Sequence, residues 1–313
     1  MAQKRRYAIL GTGAIGGYYG GLLQQAGHEV HFLLRSDYDQ VKKHGLRIDS
    51  VNGDFLLPNV NAHKATDTMP PCDVIIVALK TTANHILPEL LQPPLFGKES
   101  VVVMMQNGLG VEEVAAAIPG AGCVLGALCF ICSNKVGPGH IRHLDYGSFT
   151  LGEYTPEVAD GEISKAVAGV AEDFEAAGVT VQSSGNLARA RWKKLVWNIP
   201  FNGLSVVLGA TTDLLICNSG SRALVERLME EVCAGAACCG HVIEEQFIGK
   251  MIEATEVMAP YRPSMKIDFD EGRPMEIEAI YGVPLARASA RGVVLPSIQM
   301  LYEELRFLDV NSV

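Results

Sequence analysis

Short apolar runs punctuated by glycine open the chain. Tyr7-Ala8-Ile9-Leu10 ends at Gly11, the pattern of a strand buried on both faces. Comparable runs recur at 30–34, at 73–79 around Val74-Ile75-Ile76-Val77, and at 101–105. Residues 14–25 read as a helix stopped by Gly27. Strands alternating with helices imply a parallel, doubly wound sheet. Over 123–153 helix signals fade, and β-rich segments with glycine turns predict further strands extending that sheet. From about Gly185 onward strand alternation disappears, and helices are predicted over 187–208, 221–242, 245–258, 275–291 and 296–307. The fold expected is α/β: a Rossmann-type parallel-sheet domain over 1–185, followed by an all-helical domain over 186–313.

Composition narrows the class. With 313 residues, 48% hydrophobic and 19% charged, the chain can bury two sizeable cores. Its net charge of −9 argues against nucleic acid as a partner. No apolar stretch approaches the roughly 18–20 residues that span a bilayer. The charged start, Met1 to Tyr7, runs straight into a strand and does not read as a signal peptide. Eight cysteines in mostly apolar or alanine-rich surroundings fit a cytoplasmic enzyme with reduced thiols. Cys129-Phe130-Ile131-Cys132 lies in an apolar β-like stretch, so buried thiols explain it better than a redox motif. The scattered histidines lack ligand spacing, and no metal is expected.

Gly11-Thr12-Gly13-Ala14-Ile15-Gly16 follows the first strand and opens the first helix, the context that makes G-x-G-x-x-G a dinucleotide signal. Gly11 would allow the tight turn, Gly13 the approach of a pyrophosphate, and Gly16 close packing of helix on strand. An acidic residue at the end of the second strand would bind the ribose hydroxyl of NAD. Leu34-Arg35-Ser36 stands there instead, and the Arg35 guanidinium suits the 2′-phosphate of NADP(H). Lys80, after the third strand, is a second candidate cation, with an exposed loop lysine as the other reading. Asn107 in Gln106-Asn107-Gly108 follows the fourth strand and is placed to face the nicotinamide or the substrate.

Beyond the boundary, Lys194, Asn198 and Asn202 recur at every fourth position among apolar residues. They form one polar stripe on an otherwise greasy helix, so a polar cleft is expected there. Pro200 introduces a kink risk.

Taken together, these residues resemble the ketopantoate reductase family, the 2-dehydropantoate 2-reductases. The resemblance runs over nearly the whole chain. It covers the glycine start, Arg35, Leu79-Lys80, Gln106-Asn107-Gly108-Leu109-Gly110, the Lys194 stripe and the stretch from Ser264 to Glu276. It implies that Lys194 is the general acid, and that Asn107, Asn198, Asn202, Ser264 and Glu276 hold the keto acid. Residues 266–274 are more acidic than expected, which bears on the substrate more than on the chemistry. Reduction of a ketone needs a hydride on carbon and a proton on oxygen, and an ammonium beside the developing alkoxide supplies the second. Glu276 could hold that ammonium in its charged form, with Glu278 competing for the role. The expected activity is NADPH-dependent reduction of 2-dehydropantoate to pantoate. Alternatives are a reductase of another small 2-oxo acid and a non-catalytic NADPH sensor. The oligomeric state is left open, a homodimer included.

Overall fold

Strand β1 (Arg6–Leu10) is an interior strand of a mixed sheet in a computed structural model that describes residues 4–156 and 160–311. Part of the charged N-terminal segment, residues 1–3, lies outside the described residues. The other strands are β2 (Glu29–Leu33), β3 (Leu46–Ser50), β4 (Phe55–Leu57), β5 (Asn61–His63) and β6 (Cys72–Val77), then β7 (Phe96–Met104), β8 (Cys123–Gly137), β9 (His140–Glu153) and β10 (Val181–Ser184). Their spatial order is β4-β3-β9-β8-β7-β6-β1-β2-β5, with β10 also beside β9. The run β8-β7-β6-β1-β2-β5 is parallel throughout, the Rossmann-type core expected from the apolar runs. β8 and β9 form a long antiparallel hairpin that carries the sheet beyond that core, as the 123–153 pattern predicted.

The chain divides into two compact units. One comprises Met1–Gln106 and Val111–Leu187; the other comprises Asn107–Gly110 and Ala188–Val313. In the first, the helix Ala14–Gln25 buries Gly16, Gly17, Gly20 and Gly21. A Cβ at Gly20 would meet Phe32 Cε1 at 2.7 Å, and one at Gly17 would meet Ile141 Cγ1 at 2.9 Å. Each helical glycine costs up to about 1 kcal/mol in propensity, offset here by close contact of helix and strand. A second helix, Lys165–Ala176, starts at Ser164, whose side chain accepts the Val167 N–H.

The second unit is helical. Leu187–Val207 continues through Pro200, and Tyr281 donates its hydroxyl to the Ile199 carbonyl at 2.9 Å. Around it lie Thr212–Cys217, Ser219–Cys238, Gln246–Glu256, Ser264–Asp270 and Pro296–Asn311. The single helix expected over 275–291 is instead a π-helical turn, Glu278–Gly282, leading into Val283–Ser289. Pro284 has no N–H to continue the regular ladder, which accounts for the irregular turn before it. Trp192, Val196, Ile199, Phe201, Met229 and Tyr281 are fully buried at the centre of this unit's core. Among the described residues no helix is long and apolar enough to cross a membrane.

Candidate active site

In the first unit, the glycine segment is shaped by what surrounds it. Gly11 has φ of +102°, and a Cβ there would lie 2.7 Å from Leu79 N and 2.8 Å from the Ala78 carbonyl carbon. A Cβ at Gly16 would lie 2.2 Å from Gly11 O. Gly13 is different: nothing stands within 4 Å of its Cβ position. The turn is therefore packed at Gly11 and Gly16 and open at Gly13. Thr12 ties it down by donating its hydroxyl to Leu33 O at 2.9 Å, at the end of β2. The helix that begins at Ala14 has no side-chain cap and no acid in its first turn. Its first N–H groups and dipole are available to an anion. An open cradle bounded by a helix N-terminus fits the pyrophosphate of a dinucleotide. Arg35 lies two residues beyond β2, exposed, and its guanidinium forms no ion pair with a described residue. Lys80 is exposed just after β6 and starts the 3₁₀ turn Thr81–Ile86.

In the second unit, Asn107–Gly110 is held against the helices by its backbone. Gly108 has φ of +86°, and a Cβ there would lie 2.3 Å from Ala279 O. Leu109 N donates to the same carbonyl at 2.8 Å, and the buried Arg191 guanidinium donates to Gly108 O at 3.1 Å. This places the Asn107 side chain between two charges. Its Oδ1 accepts from Lys194 Nζ at 2.9 Å, and its Nδ2 approaches Glu276 Oε2 at 3.4 Å. Glu276 is buried, whereas the competing Glu278 is exposed and accepts from the Tyr302 hydroxyl. Lys193 points elsewhere, to Glu244 at 2.8 Å.

The remaining members of the stripe differ from one another. Asn198 is only 7% exposed, and its amide forms no hydrogen bond with a described residue. An amide of this kind can donate to and accept from a ligand or water. Asn202 uses Oδ1 to accept from Met265 N at 3.2 Å, which fixes the start of the Ser264–Asp270 helix. The half-buried Ser264 leads that helix, and its hydroxyl forms no hydrogen bond with a described residue. The acids of the 268–271 stretch have local counter-charges. Asp268 and Glu271 pair with Arg273, and Asp270 pairs with Lys266 and Arg262. They therefore add little net field. Arg191 escaped the sequence reading, although its position three residues before Lys194 on one helix was a usable signal. None of the eight cysteines forms a disulfide, and Cys132 is buried.

Residues 7–156 match the family described as "Ketopantoate reductase PanE/ApbA", and residues 186–309 match "Ketopantoate reductase PanE/ApbA C terminal". The chain is 54% identical over 307 residues to a 2-dehydropantoate 2-reductase of Nostoc sp., covering 98% of this chain and 96% of that protein. It is similar to a crystal structure of 2-dehydropantoate 2-reductase from Geobacter metallireducens GS-15, with a TM-score of 0.92 and 43% identity, covering 96% of this chain and 99% of that one. A second, from Methylococcus capsulatus, gives 0.86 and 33%, covering 98% and 97%.

Proposed function

The chain belongs to the ketopantoate reductase family, and on that footing we propose that it reduces 2-dehydropantoate to pantoate with NADPH, Lys194 giving the proton. The observation that carries the reading is the Lys194–Asn107–Glu276 chain of contacts. It holds one ammonium by a neutral amide whose other end faces a buried carboxylate. Bound NADPH supplies the hydride to the ketone carbon. Lys194 stabilises the charge that develops on the ketone oxygen and then protonates it. The Asn198 amide donates to the substrate carboxylate, and Ser264 and Glu276 take the terminal hydroxyl. Asn202 supports the pocket by holding Met265 N. In the first unit, residues 11–16 cradle the pyrophosphate while Arg35 and Lys80 meet the 2′-phosphate.

Cofactor binding is assigned to residues 1–185, and substrate chemistry to residues 186–313 together with Asn107. Eight cysteines without a disulfide suit a reducing compartment, and the same reading sets the enzyme in the cytoplasm. A homodimer is the assembly to test by sedimentation.

The test is NADPH oxidation with 2-dehydropantoate against 2-oxo-3-methylbutanoate, which lacks the hydroxyl. Leaving the hydroxyl's partners unmet should lower kcat/KM at least about tenfold. Equal efficiency on both acids, or no turnover of 2-dehydropantoate, would move the assignment to another small 2-oxo acid.

A further inference from the structure

A carboxylate does stand near the end of β2, but it is turned inward. Asp37 follows Arg35 by two residues and is only 4% exposed. Its Oδ1 accepts from Lys135 Nζ at 2.7 Å and from Ser36 Oγ at 3.0 Å, and its Oδ2 accepts from Gly139 N at 2.8 Å. Burial alone would raise this carboxyl. The Lys135 ammonium and the Gly139 N–H outweigh burial and hold it below the usual range, so Asp37 is an anion at neutral pH.

Lys135 lies near the end of β8, and Gly139 lies in the turn to β9. Two residues before Lys135, Ser133 donates its hydroxyl to Ala14 O at 3.3 Å, within the glycine segment itself. One end of the β8–β9 hairpin therefore borders both the glycine helix and the Arg35 turn.

A carboxylate just past β2 ordinarily accepts the ribose hydroxyl of NAD, and its charge would repel a 2′-phosphate. Here that charge has a counter-ion, and Arg35 beside it is left exposed. We propose that Lys135 determines cofactor specificity: by neutralising Asp37 it allows a 2′-phosphorylated dinucleotide to sit against Arg35. The inference rests on the NADPH reading above and adds a residue that acts through Asp37, not as a catalytic group.

Dissociation constants for NADPH and NADH, measured by fluorescence titration at fixed ionic strength, test it without turnover. Lys135→Met should weaken NADPH at least about tenfold, leaving NADH within about threefold. The double variant Lys135→Met with Asp37→Asn should return NADPH to within about threefold of the parent, because no anion is left to repel the phosphate. If Lys135→Met weakens both cofactors equally, or the double variant fails to recover NADPH, the proposal is overturned. Should Lys135→Met fail to fold, Asp37→Asn alone decides: tighter NADPH relative to NADH supports the proposal, and weaker NADPH overturns it. A parent protein that binds both cofactors equally would instead overturn the NADPH reading itself.

Discussion

Lys193 and Lys194 are adjacent in sequence, and replacing each with methionine should have opposite consequences. Successive helical positions point about 100° apart. The Lys193 ammonium lies 2.8 Å from Glu244 and 5.3 Å over the Phe247 ring, and its side chain is 31% exposed against 53% for Glu244. A pair that open to water contributes about 0–1 kcal/mol. Lys193→Met should therefore lower stability by about 1 kcal/mol at most and leave kcat within about twofold. Lys194 donates to Asn107, with the buried Glu276 on the far side of that amide. Its removal takes away the proton donor and one charge-assisted hydrogen bond. A positioned acid contributes about 10²–10⁴ in rate, or roughly 2.7–5.4 kcal/mol of barrier.

Single-turnover NADPH oxidation at saturating 2-dehydropantoate reads that loss directly. NADPH titration should show a dissociation constant within about threefold of the parent. A damaging Lys193→Met, or a Lys194→Met enzyme within about tenfold of the parent, would refute the assignment of the proton donor.

Gly11→Ala should cost about 3 kcal/mol or more, because φ is +102° and backbone atoms of Ala78 and Leu79 occupy the Cβ position; chemical denaturation measures this. Gly13→Ala should fold with normal stability, since its Cβ position is open, yet bind NADPH at least about tenfold more weakly by titration. Asn198→Ala should lower kcat/KM at least about tenfold with little loss of melting temperature, because the amide forms no hydrogen bond with a described residue. His63, whose Nε2 lies 2.9 Å from His31 Nδ1, is lowered below its usual value by burial first and then by the neighbouring His31 and Lys42 charges. With the folded value depressed, stability is full above about pH 6.5. It falls below that pH, where the unfolded chain takes up a proton first. His63→Gln should flatten the fall in urea titrations across that range.

What was legible in the sequence follows a physical boundary. The first strand, the glycine turn and the Ala14–Gln25 helix are specified by residues close to one another, so their pattern survives in one dimension. β3 shows the opposite case. It buries only Leu46 and Ile48 among polar neighbours, and it pairs with β9, whose residues lie more than ninety positions away (Ile48 opposite Ile141). The local composition of β3, β4 and β5 contains no trace of such partners, and those strands, with β10, were not anticipated.

The polar stripe shows the same limit at the level of chemistry. On a helical wheel Lys194, Asn198 and Asn202 are equivalent, and periodicity assigns all three to one cleft. Their environments then separate them: Lys194 meets an amide delivered by the Asn107–Gly110 segment, Asn198 forms no hydrogen bond with a described residue, and Asn202 is taken by the Met265 N–H. That difference depends on Gly108, whose positive φ and missing side chain let the segment press against Ala279. A glycine at position 108 thus decides what a lysine at position 194 touches, although the two are 86 residues apart in the chain. Spacing along one helix identifies residues able to act together, and the chain segments that arrive from elsewhere determine which of them is free to meet a substrate.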